Sequence, residues 1–388
     1  MAGNSLTAKR TTFKGRQAVC LGGEELRCTV LLGGGHLVEL YCLERKLSPL
    51  WIPPWPSKEP WQYNAKKHKK RYGGHQESKL LMGLMGHNFC SDFFGEPSED
   101  EARAGVGVHG ESPVLRWKVA HLKKSASSAS VRLGVTLPLA RLSVERTMTI
   151  RRNSPVLQAS VRIKNLNRLD HPLTYNEHVT MGPPFVEKGV TVFDIPAKWG
   201  RTADGDVGGP NRVARDKEFQ WPFAPGTKKR HVDLRIASAE RRNSDFTTQQ
   251  VAKGRTFAYL TAVNPRKGLL MGYVWRRSAC PWIGNWEENF GRRIAPWNGQ
   301  ALTRGLEFGN TPWPASKRAA IDLGRLHGEK TFGWVPAGGE LRYKFAAFVV
   351  PVDGSWRGVD DVKVAGREVT VLGRGKRQRI ELRLEAEL

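Results

Sequence analysis

The sequence predicts an all-β fold built from large antiparallel sheets with few short helices. Three observations carry that prediction. Apolar and polar residues alternate with period two over several segments, as in strands with one buried face. Long helical patterns with caps are absent. The 41 glycines and 23 prolines supply turns between many strands.

Taken in order, residues 1–15 (MAGNSLTAKRTTFKG) are polar and read as a flexible segment with no apolar core of a secretory leader. ELRCTVLLGGGHLVELYC (25–42) reads as two strands joined at Gly33, Gly34 and Gly35. WIPPWPSKEPW (51–61) is too proline-rich for a regular element, and the basic run 66–71 reads as a solvated loop. A long acidic and then glycine-rich loop is expected over 95–113. A meander follows. Val131, Leu133, Val135 and Leu137 share one face, as do Leu142, Val144, Met148 and Ile150, and then Leu157, Ala159, Val161 and Ile163. Arg146 breaks the second of these faces. TADGDVGGPNR (202–212) is a further loop, and 362–372 and 379–388 close the chain as strands. No fixed-period repeat suggests a propeller or solenoid. No shift in composition marks a boundary, so one domain over 1–388 is expected.

Composition narrows the function classes. The chain has 388 residues and a formal charge of +25. It has no run of apolar residues long enough to span a bilayer, so no membrane association is expected. Cys20, Cys28, Cys42, Cys90 and Cys280 are odd in number and form no CxxC pair. That argues against a disulfide framework or a structural zinc site and suits reduced thiols in a cytoplasm. No Gly-rich phosphate loop or G-x-S-x-G elbow occurs. The histidines show no HxH or HxxxH spacing, so no metal is expected. The positive charge is densest at 66–71, 228–231 and 375–379. It leaves nucleic acid, an anionic surface or an anionic substrate as partners. Without the basic-aromatic motif of a known module, nucleic acid is not the expected partner.

Four segments place acid–base groups beside tight turns. They hold His87 and Asp92, His109 and Glu111, Asn176 with Glu177 and His178, and Glu307 in RGLEFGNTPWP (304–314). Each residue also has a plain reading as a solvated strand end or a hydrogen-bonded sheet-edge group. Trp51, Trp55 and Trp61 form one loop cluster, and Trp282, Trp286 and Trp297 another. Flat indoles stack on sugars or bases, or staple loops to a core.

In this order the motifs resemble the galactose mutarotase (aldose 1-epimerase) superfamily. His109-Gly110 matches its His-Gly motif, and YNEHVTMGPPF its mid-chain Asn-x-His strand, with His178 as the histidine. RGLEFGNTPWP matches the late glutamate segment, with Glu307. The resemblance runs from Glu25 to Pro351 and implies a β-supersandwich. The family's Asn-Arg substrate clamp is not recognisable; GHNFCSDFFG stands in its region. The resemblance implies sugar anomer exchange without a cofactor, with Glu307 as base, His178 as acid and His109 beside the ring oxygen. His87, Asp92, Asn176, Trp286 and Arg304 are the candidate substrate contacts. The basic balance makes an anionic sugar the expected ligand, drawn to Arg292, Arg293 and Arg304. Two other readings stay open. One is a sugar-binding protein on the same fold without turnover, and the other a basic nucleic-acid-binding protein.

Overall fold

In the computed structural model, residues 6–388 are described apart from 75, 229 and 376. Residues 1–5, and the two lysines at 229 and 376 in the basic runs, lie outside the described residues. Two antiparallel sheets face each other. The first has twelve strands. Its path runs Thr7–Phe13, Arg16–Gly22, Leu26–Leu31, Leu37–Cys42, His87–Asp92, His171–Met181, Leu302–Gly309, Trp282–Asn289, Asn243–Val251, Ala197–Thr202 and Glu218–Gln220. Gly333–Val335 pairs onto His171–Met181 off that path. The second has eight strands and contains the predicted meander as Ser128–Leu137, Leu142–Arg151 and Val156–Asn165.

The alternation explains the packing. Val131, Leu133, Leu142, Val144, Met148 and Ile150 point inward and meet Phe89, Tyr175, Val179, Leu306 and Phe308 of the first sheet. A three-stranded sheet, Val359–Ala365, Glu368–Gly373 and Arg379–Arg383, covers the outer face of the second sheet through Val362, Val369, Val371 and Leu382.

Three expectations are corrected. The polar N-terminus is a strand from Thr7 to Phe13, because it pairs along its whole length with Arg16–Gly22. The run 66–71 lies in an exposed helix, Ala65–Tyr72, rather than a loop. The acidic part of 95–113 forms a short helix, Glu99–Arg103, because Ser98 and Glu101 close a capping box. The five cysteines are all free and buried. No helix among the described residues is long and apolar enough to cross a membrane.

Arg146, the break in the apolar face, points between the sheets. Its Nη2 donates to Glu177 Oε2 at 2.8 Å. His87 Nε2 lies 2.6 Å from the same oxygen, and Tyr343 Oη donates to Oε1 at 2.7 Å. Burial alone would raise the Glu177 carboxyl, but Arg146, His87 and Tyr343 together hold it below its ordinary value. Arg146 also lies over the rings of Phe89 and Phe345, at 5.4 and 5.9 Å.

This cluster yields a stability prediction. Arg146→Met removes the guanidinium and leaves a buried carboxylate short of compensation. Urea unfolding is expected to show a loss of about 3–5 kcal/mol. The double variant Arg146→Met/Glu177→Gln should recover much of that loss, because no buried charge remains. A double variant as unstable as the single would show that Arg146 acts by packing rather than charge.

Candidate active site

The outer face of the first sheet is closed over its centre by loops and by the helices Ser78–Gly83 and Lys317–Leu323. Between them lies a cavity of about 750 Å³. Strand alternation decides who faces it. On His171–Met181, Glu177 points between the sheets, so its neighbour His178 points outward to the cavity. His178 pairs in register with Glu307 on Leu302–Gly309. Their side chains meet, with Nε2 and Oε1 3.1 Å apart. That contact is out of line for a hydrogen bond, so Glu307 Oε1 has no partner although the residue is buried.

Two glycines make the seat of this carboxylate. A Cβ on Gly305 would stand 2.4 Å from Glu307 Oε1, and one on Gly284 of the adjoining strand 3.1 Å from Oε2. The turn after Glu307 is pinned by Asn310, which donates to Leu173 O and accepts from Tyr175 N. The carboxylate is therefore held in a defined place.

His109 reaches the same cavity from the 95–113 segment, in the left-handed region at φ 64°. Gly110 must be glycine, since a Cβ there would meet Ser91 O at 2.5 Å. The His109 and His178 rings stand 5.1 Å apart, and His109 stacks on Phe94. Trp286 lies 5.9 Å from His178, edge to face. The two predicted tryptophan clusters join here, with Trp51 stacked on Trp297 and Trp297 against Trp286. Trp61 and Trp282 stay outside this wall.

Burial sets the protonation states. It pushes the Glu307 carboxyl up to about 8, against a smaller opposing pull from Arg292. It pushes His178 well down, helped by His109. His109 is lowered by burial first and by Arg292 second. Both imidazoles are thus neutral near neutral pH. His178 Nδ1 lies 2.9 Å from Thr180 Oγ1. A proton assigned to Nδ1 serves that bond and leaves the Nε2 lone pair facing Glu307. The pair then carries one exchangeable proton, and it rests on Glu307, whose raised carboxyl is the more basic group beside a lowered imidazole.

Of the eight candidate residues, Glu307, His178, His109 and Trp286 line the cavity. The other four do not. His87 points between the sheets to Glu177. Asp92 is tied to His171 and Lys317. Asn176 shares the outward direction of His178 but is buried at the Gly309 backbone, outside the lining. Arg304 is one residue out of phase with Glu307 and Gly305. It points to the opposite face, where it meets Glu287 and donates to Leu234 O. Sequence reasoning missed Phe94, Phe246 and Trp313, which also line the cavity. Among its readable signals were the glycines two residues before Glu307 and two before Trp286. Phe94 and Phe246 carried none.

Arg292 lines the cavity with its guanidinium over the rings of Trp286 and Trp297, at 5.4 and 5.0 Å. Its Nε donates to Val207 O. The other lining cation among the described residues, Arg201, is taken up by Asp216.

No protein-family model and no curated protein matches the chain. Solved structures do. One is a Klebsiella pneumoniae protein described as a candidate aldose 1-epimerase, at TM-score 0.65 and 13% identity over 90% of this chain and 88% of that one. Another is a galactose mutarotase-like protein from Clostridium acetobutylicum, at 0.61 and 14% over 90% and 99%. A third is a galactose mutarotase related enzyme from Lactobacillus acidophilus, at 0.53 and 9% over 92% and 100%. The chain has the galactose mutarotase-like β-supersandwich fold, at low sequence identity to these structures.

The raised Glu307 carboxyl has a stability signature. Below its ordinary value of 4.5 the group is protonated in both folded and unfolded chains. As pH rises towards about 8 only the unfolded chain ionises, so stability is lost across that window. Glu307→Gln should therefore melt close to the wild type near pH 4 and clearly above it near pH 9. A melting gap that does not change with pH would show that Glu307 does not titrate in this window.

Proposed function

We propose that this chain is an aldose 1-epimerase-like isomerase that interconverts the anomers of a sugar. The observation that carries the reading is the His178–Glu307 pair, 3.1 Å apart at the floor of an aromatic-walled cavity. Anomer exchange needs a base at the C1 hydroxyl and an acid at the ring oxygen. A pair sharing one proton serves both. Once the pair's proton has passed from Glu307 to His178, Glu307 takes the hydroxyl proton while His178 protonates the ring oxygen, and the ring opens. The C1 carbonyl turns and the steps reverse. His109 stands beside the ring-oxygen side and steadies the developing charge. No cofactor is needed.

The expectation of an anionic sugar loses most of its support. Arg304 faces away, Arg293 does not line the cavity, and Arg201 is paired. Glu96, Asp204 and Asp206 line the cavity, and its other guanidinium, Arg292, lies 3.6 Å from Glu288. A neutral sugar fits this charge pattern better. The burial that keeps Glu307 protonated near neutral pH also suits a second reading, a sugar-binding protein without turnover.

Exchange measured by NMR decides between them. Glu307→Gln is expected to lower anomer exchange about 10²–10⁴-fold with the fold intact, because the amide cannot accept the proton. Saturable sugar binding with no exchange in the wild type would establish the second reading.

The pH profile is a separate test. The working pair holds one proton and loses it above about 8, the value to which burial pushes Glu307. kcat/KM is expected to be level through neutral pH and to fall above that value. A profile that rises through pH 8 would assign the base role to a solitary ionised carboxylate and remove His178 as the acid.

A further inference from the structure

We propose that the cavity holds two sugar rings, so that the substrate is the reducing end of a neutral oligosaccharide whose second ring stacks on Trp313. This rests on the reading of the site as a sugar site and names its substrate class. The cavity measures about 750 Å³. That falls in the range of about 300–1,000 Å³ used for drug-sized ligands, more than a single pyranose of about a dozen heavy atoms requires.

The aromatic floor shows where the second ring goes. The His178 and Phe94 rings are 6.4 Å apart, Phe94 and Phe246 6.4 Å, and Phe246 and Trp313 6.1 Å. Phe246 stands beside Glu307 at Gly284, and Trp313 packs on Phe246, so Trp313 is separated from the pair by one ring. It is half-buried, so one part of its indole stays open to the cavity. Its loop is rigid. Pro312 and Pro314 flank it, and Gly95 packs directly on Pro314, where a Cβ would stand 1.9 Å from the carbonyl carbon. A rigid, flat, half-open indole is a preformed platform for the apolar face of a sugar ring.

Hydrogen-bonding groups complete the picture. Trp286 and Trp297 line the cavity with buried indole N–H groups that have no partner. Glu96 and Asp204 line the cavity, are exposed and make no ion pair among the described residues. Such carboxylates accept from ring hydroxyls and repel an acidic sugar. Anomer exchange at the reducing end leaves the glycosidic bond untouched, so a second ring does not alter the chemistry at the pair.

The test compares cellobiose, maltose and lactose with glucose, their common reducing-end sugar. NMR exchange gives kcat/KM, and calorimetry on the same set gives binding. At least one disaccharide is expected to exceed glucose in kcat/KM by about tenfold, the size of one good aromatic contact. Trp313→Ala should bring that ratio towards one, and Trp313→Phe should keep most of it. No advantage for any of the three disaccharides, or a Trp313→Ala loss equal for glucose and disaccharide, would overturn the second ring site. If no sugar exchanges, tighter disaccharide binding that depends on Trp313 upholds the two-ring site while the isomerase reading falls. Equal binding overturns the two-ring site.

Discussion

The alternation of one strand, His171–Met181, is the constraint on which the site depends. Successive side chains on a strand point to opposite faces. Glu177 goes into the space between the sheets and His178 to the cavity. A slip of one residue would exchange them, burying an imidazole against Arg146 and leaving a carboxylate outside. Arg146, His87 and Tyr343 hold Glu177 from three directions, and that grip sets the face to which His178 points. The ion cluster lies on the other face of the strand from the cavity, yet it aims His178 into that cavity.

The adjoining strand supplies the other half by a subtractive device. Gly305 and Gly284 remove the side chains that would stand where the Glu307 carboxylate lies. The carboxylate is thereby sunk close to the sheet, out of water, beside a neutral histidine. Burial raises its proton affinity while it lowers that of His178 and His109, so the order of the two kinds of group is inverted and the proton rests on the carboxyl. Arg292 tempers the shift and comes from the segment after Trp282–Asn289, not from the His87–Asp92 strand.

Much of the fold was legible because one-face burial leaves a period-two trace. The meander and the closing strands follow it, while the opening hairpin, buried on both faces, was marked by its three-glycine turn. Its one interruption, Arg146, was visible as an anomaly, but its partner lay 31 residues away and could not be read. The short helices were missed where local capping or a run of helix-tolerant lysines outweighed a loop-like composition, as at Ser98 and over Ala65–Tyr72.

At the site, short stretches of sequence name the chemistry on offer: a carboxylate before a rigid turn, a histidine on a strand, and a histidine before a glycine. These are local features, and the backbone conformation that each needs is written in its neighbours. Which of them meet follows from the folded chain and from nothing local. His87 and His178 sit in similar strand contexts, yet one is locked into the interior and the other faces the cavity. Arg304 and Gly305 differ by one position and by an entire face of the sheet. Direction across a sheet follows from register with strands distant in sequence. Register is fixed by the summed burial of both faces, a quantity that no short stretch of sequence contains.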